Sequence, residues 1–241
     1  MNDFTNGRVL GRAFETLRRN PAGFGLLALL MVALPNFVSE LSGSHPATPA
    51  YMLGSDYRGA SSLLVLILVF LFKAIVIAAC IKAGETARPD LGPASRIAMT
   101  HILPLIGVSV LSWIAIIIGT MALIVPGIIA FCMFAAAIPV LLAEDEGVIQ
   151  SLSRSRTLTD GYKGMIFLLY FLFWILQATA SFIIGLMVSV GGNGDILRAS
   201  TASLVAAGVA LVDAAISASL YAELRIAKEG GVSDELVQVF E

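Results

Sequence analysis

Between Arg96 and Glu144 the chain runs for 47 residues without one Asp, Glu, Lys or Arg. Further uncharged stretches cover 31 residues (164–194) and 20 residues (20–39), and 59–81 and 199–222 are each broken by one charge, Lys73 and Asp213. A helix needs about 20 apolar residues to cross the hydrocarbon layer of a bilayer. The pattern therefore predicts a polytopic membrane protein. Composition agrees, with 58% hydrophobic and 13% charged residues, far from the balance of a soluble domain. Runs such as LLVLILVFLF (63–72) are apolar at every position, which excludes the alternating strands of a membrane barrel.

The expected fold is all-α, a bundle of six transmembrane helices over about 22–39, 61–82, 102–124, 126–143, 165–189 and 203–227. The 47-residue gap holds two spans, with the break expected at Pro126-Gly127, since proline donates no helical hydrogen bond and glycine tolerates turn angles. A cytoplasmic amphipathic arm (1–21) precedes the six-helix domain (22–228), and an acidic tail (229–241) follows it, expected to be mobile or to touch lipid. The first apolar stretch has a long charged arm and no small-x-small cleavage pattern, so it reads as an uncleaved span.

Twelve of the fifteen basic residues fall in the arm, in the second and fourth connections and at the end of the last span. Only Arg58 and Arg198 lie on the other side, so the excess of positive charge predicts both termini in the cytoplasm. Short amphipathic segments precede spans one, three and five. In the first, Val9, Leu10, Ala13, Phe14 and Leu17 recur at helical spacing opposite Arg8, Arg12, Glu15 and Arg19. Before span five, Val148, Ile149 and Leu152 oppose Gln150, Arg154 and Arg156; before span three, Ala94, Ile97, Ala98 and Ile102 accompany Arg96. Arg12, Arg18, Arg19, Arg154, Arg156 and Lys163 are candidate contacts for anionic phospholipid headgroups, or serve only to set topology.

Charges inside spans are costly, so Lys73 and Asp213 stand out. Lys73 lies 12 residues from Ser61 and Asp213 lies 10 from Ser203, which puts them about 18 and 15 Å into the layer. An ion pair joining the second and sixth spans is expected. Gln177, at the centre of span five, is a candidate third member, with Ser112 and Trp113 at the same depth in span three. The pair either fixes helix register or forms a proton or substrate site. His45 and His101 fall on opposite membrane faces, and the sequence holds no metal-ligand spacing, phosphate loop or nucleophile elbow. No catalytic residue, cofactor or metal is expected, and with a net charge of −2 and dispersed basic residues neither is nucleic acid. Cys80 and Cys132 read as buried packing residues, and Glu144-Asp145-Glu146 as acids at the start of a surface helix.

The stretch 124–164, IVPGIIAFCMFAAAIPVLLAEDEGVIQSLSRSRTLTDGYKG, carries Pro126-Gly127, then Pro139, Glu144 and Gly147, then Leu152, Arg154, Ser155 and Leu158, closing at Gly161. With RAFETLRRNP (12–21) it resembles the membrane domain that precedes some bacterial glycerophosphodiester phosphodiesterases, and related stand-alone six-span proteins. The resemblance implies an integral protein of the bacterial inner membrane, and it implies no activity. In fused members catalysis belongs to a separate soluble domain, and no phosphodiesterase residue carries over. The leading expectation is thus a non-enzymatic membrane protein that is structural, binds a partner or a second copy, or engages lipid. The alternative is a carrier for a small solute or proton at Lys73 and Asp213; an enzyme acting on lipid comes last.

Overall fold

The computed structural model describes residues 5–41, 56–85, 90–190 and 195–239. His45 lies outside them. In chain order the helices are α1 (Asn6–Arg19), α2 (Pro21–Ala28), a π-helical turn (Leu29–Ala33), α3 (Leu34–Leu41), α4 (Asp56–Glu85), α5 (Leu91–Thr100), α6 (Ile102–Ala122), α7 (Ile124–Phe134), α8 (Ala137–Glu144), α9 (Val148–Thr159), α10 (Lys163–Val190) and α11 (Asp195–Val239). No strand occurs among the described residues. Among the described residues, six helical stretches are long and apolar enough to cross a membrane: Pro21–Leu41, Val65–Ala83, Ile102–Ala122, Ile124–Glu144, Lys163–Ile183 and Ala199–Gly230. The protein is an all-helical bundle with six membrane-spanning helices. Its surface agrees, because Leu103, Ile117, Ile118 and Met121 of α6 and Leu172 and Leu176 of α10 are exposed, an apolar belt of the kind lipid covers.

At the centre, α4 and α11 pack closely along Ala74, Ala78, Ala79, Ala214, Ala215 and Ala218, all buried. Small side chains let two backbones approach where lipid supplies no hydrophobic drive. α1, α5 and α9 stand before spans one, three and five. α1 reaches α10 through Asn6, whose amide donates to the Met165 carbonyl at 3.1 Å. Its turn into α2 is fixed by Asn20, whose side chain accepts from the Gly23 amide at 3.0 Å, with Pro21 in the first turn.

Three prolines shape the spans. Pro35 cannot donate to the preceding turn, and just before it the helix widens into the π-turn, closed by the Leu34 amide on the Leu29 carbonyl. The break between α6 and α7 falls at Leu123, earlier than Pro126-Gly127. Pro126 instead occupies the first turn of α7, where its missing N–H costs nothing. Gly127 is needed for contact: a β-carbon there would lie 2.9 Å from the Thr120 backbone. Gly127→Ala is expected to force the α6–α7 hairpin apart and cost about 2–3 kcal/mol, seen as a lowered denaturant midpoint in detergent; an unchanged midpoint would contradict this packing. Pro139 interrupts span four at Ala135–Ala136, and there the Ser155 hydroxyl of α9 donates to the Met133 carbonyl at 2.7 Å. Accordingly α9 buries Ser151, Ser155, Leu158 and Thr159, while Ile149, expected on its apolar face, is exposed.

The last helix continues unbroken to Val239, so the segment after 229 starts as more helix. Cys80 and Cys132 are buried and unpaired with each other.

Candidate functional site

Lys73 of α4 donates from Nζ to Oδ2 of Asp213 of α11 at 2.7 Å. The two helices are the closely packed central pair, which brings residues 140 apart in sequence into contact. The pair is not sealed. Its side chains remain 32% and 25% exposed, and both line a cavity of about 480 Å³. Pockets of several hundred Å³ are the size class of small-molecule sites.

α6 contributes Ser109, Ser112, Trp113, Ile116 and Thr120 to the walls. α7 and α10 contribute an aromatic flank in which Phe131 meets Tyr170 edge-on at 5.2 Å between centroids and Trp174 at 5.6 Å, while Phe167 and Phe171 stack at 5.5 Å. Ser217, one turn beyond Asp213 on α11, also lines the cavity, as does Tyr170. From Ser109 to Thr120 the cavity follows α6 for 11 residues, about 16 Å. Ile124 and Gly127 bring it to the tip of the α6–α7 hairpin.

Two wall groups are short of partners. The hydroxyl oxygens of Ser109 and Ser112 are buried and make no hydrogen bond. Helical serines usually donate to the carbonyl one turn back, as Thr120 does to Ile116 at 2.7 Å. An unmet buried hydroxyl costs about 1–3 kcal/mol.

Gln177 is not part of this wall. The cavity reaches Trp174, three residues before it on α10, without including it. The middle of a helix by count is not the middle of the site. Ser112 and Trp113, grouped with the pair by depth, do line the cavity, as do Ser109, Phe131 and Ser217. Phe131 and Ser109 carry no signal in the sequence, since an aromatic or a serine in an apolar run is ordinary.

A second polar cluster lies at the end of the bundle shared by α1, α9 and the last turns of span six. Glu223 of α11 is buried and receives Arg12 at 2.9 Å and Arg8 at 3.7 Å. Arg154 donates from Nε to Glu144 Oε2 at 3.0 Å and from its guanidinium to Glu229, and the Tyr221 hydroxyl donates to Glu144 Oε1 at 2.9 Å. Burial disfavours the charged guanidinium of Arg154, but the bonds to Glu229 and Glu144 outweigh it and hold its pKa above the ordinary arginine value. Arg12 and Arg154 thus face inward to carboxylates. Arg19 pairs with Glu15 at 2.7 Å and Lys163 with Asp160 at 2.7 Å, whereas Arg18 and Arg156 are exposed. Glu144 and Asp145 do not cap α9: Gly147 occupies the cap position without a side-chain bond.

Asp145 instead takes a left-handed conformation, φ 53°, and meets His101 Nε2 at 2.6 Å. The bond to Asp145 raises the His101 pKa, helped by the Ile97 carbonyl, and partial desolvation opposes it. With the folded pKa above the ordinary value of about 6.5, this tether is fully in force below that pH and weakens as pH rises through the raised value. The wild-type thermal midpoint is expected to fall slightly from pH 6 to pH 8.5, and Asp145→Asn to abolish that slope. An equal slope in both chains would contradict the assignment.

Among the described residues, no group of three or more His, Cys, Asp or Glu could hold a metal ion. No protein-family model, curated protein or solved structure matches the chain.

Proposed function

We propose that this is a non-enzymatic integral protein of a bacterial inner membrane, with both termini in the cytoplasm, that holds and passes a small solute through the cavity at Lys73 and Asp213. One observation carries the reading: the ion pair of spans two and six lines a cavity with polar groups from four helices and is not packed on all sides. A pair needed only for register has no use for an aromatic-walled space beside it. The distribution of Lys and Arg supports the orientation, and the resemblance of 124–164 to six-span inner-membrane proteins supports the compartment.

The cluster at Glu144, Arg154, Tyr221 and Glu229 favours a second, compatible role as a scaffold, since it locks α9 to spans four and six. Exposed Arg18, Arg156 and Phe14 suit contact with anionic headgroups there.

Asp213→Asn separates carrier from scaffold, because the amide keeps an acceptor for Lys73 but loses the charge. The expected result in proteoliposomes is folded protein at near wild-type amount with loss of proton or neutral-solute flux, read by dissipation of an imposed pH gradient and by osmotic swelling. Loss of folding, or wild-type flux, would sink the carrier reading.

A further inference from the structure

We infer that the cavity takes an uncharged, lipid-soluble ring compound bearing carbonyl oxygens, of the quinone kind, held between Lys73 and the Ser109–Ser112 edge of α6. The inference rests on the reading of the cavity as a ligand site and not on passage across the membrane, which a lipid-soluble compound does not need. Charge decides the first property. Lys73 and Asp213 already neutralise one another at 2.7 Å, so a ligand with net charge would leave one charge uncompensated inside the hydrocarbon layer.

Hydrogen bonding decides the second. After its bond to Asp213 the Lys73 ammonium keeps two N–H donors, and the Ser109 and Ser112 hydroxyls are both unmatched. Lys73 and the two serines stand on α4 and α6, on different walls of one cavity, the buried serine oxygens meeting a ligand after a change of χ1 rotamer. A molecule with acceptors at separated ring positions answers both walls at once. Against them only the second oxygen of Asp213 is a dedicated acceptor. Shape decides the third property, since Trp113, Phe131 and Trp174 offer aromatic surface to a flat body. The flanks of α6 and α10 are exposed to lipid, so a hydrophobic ligand reaches the site from the bilayer.

The chain has two tryptophans, and both line the cavity. Quenching of their emission therefore reads occupancy. Wild-type protein in nanodiscs titrated with a short-chain benzoquinone is expected to show saturable quenching above the linear background of membrane-dissolved quencher. Lys73→Met is expected to weaken it about tenfold, the loss of one charged hydrogen bond. Should Lys73→Met fail to fold, Ser109→Ala/Ser112→Ala is expected to weaken it several-fold, while Ile118→Ala on the lipid face leaves it unchanged. Linear quenching in the wild type, or equal affinity in the serine variant, overturns the ligand class. Saturable protection by the zwitterion phenylalanine in place of the quinone would overturn the class but keep the cavity reading. If neither compound saturates and aqueous acrylamide fails to quench either tryptophan, the cavity reading falls as well.

Discussion

Asp213→Ala is expected to lower the unfolding free energy by about 2 kcal/mol, and Lys73→Ala by a similar amount. Removing one member of a fully buried pair costs about 3–5 kcal/mol because its partner is left charged in low dielectric. Here the lysine keeps 32% and the aspartate 25% of its side-chain surface, so the cost of a fully buried pair is not reached. The double change Lys73→Ala/Asp213→Ala is expected to cost less than the sum of the single changes, with a coupling of about 1–2 kcal/mol. Denaturant unfolding of all four chains in one detergent measures this cycle. Additive effects would show that the 2.7 Å contact contributes nothing to folding.

Arg154→Ala is the other large effect. It leaves Glu144, whose side chain is 17% exposed, without its cation, and it removes the guanidinium links from α9 to spans four and six. A loss of about 1–3 kcal/mol is expected, less at high salt because Arg154 and Glu229 are partly exposed. Arg154→Lys is not expected to restore it, since a single ammonium cannot span two carboxylates on different helices as a guanidinium does. Hydrogen exchange should locate the damage: faster exchange over 148–159 with unchanged spans. Unaltered exchange in α9 would mean that Ser155 and Thr159, which both donate to the Met133 carbonyl, suffice to hold it.

The spans were legible because hydrocarbon imposes a length and excludes charge, and both constraints act on consecutive residues. For the same reason depth alone paired Lys73 with Asp213, which stand as the lone charges in two apolar stretches. Depth along one helix could not show which way Gln177 points or how far a cavity extends, because that depends on α4 and α11 entering from other parts of the chain. Pro126 was misleading for a local reason: proline marks the first turn of a helix as readily as the gap before it. Arg154 and Glu144 looked like surface charges since their third partner, Glu229, is 75 residues from Arg154. Only the folded bundle brings the end of span six over α9.

The central claim is that water and small molecules reach Lys73 and Asp213 from the cavity. In a chain carrying Cys80→Ala and Cys132→Ala, Ile116→Cys places one thiol on the cavity wall and Ile118→Cys places one on the lipid face of the same helix. Labelling by a small water-soluble thiol reagent is expected at position 116, slowed by any ligand that occupies the cavity, and not at position 118. No reaction at position 116 in folded protein would mean a dry centre and would contradict the account.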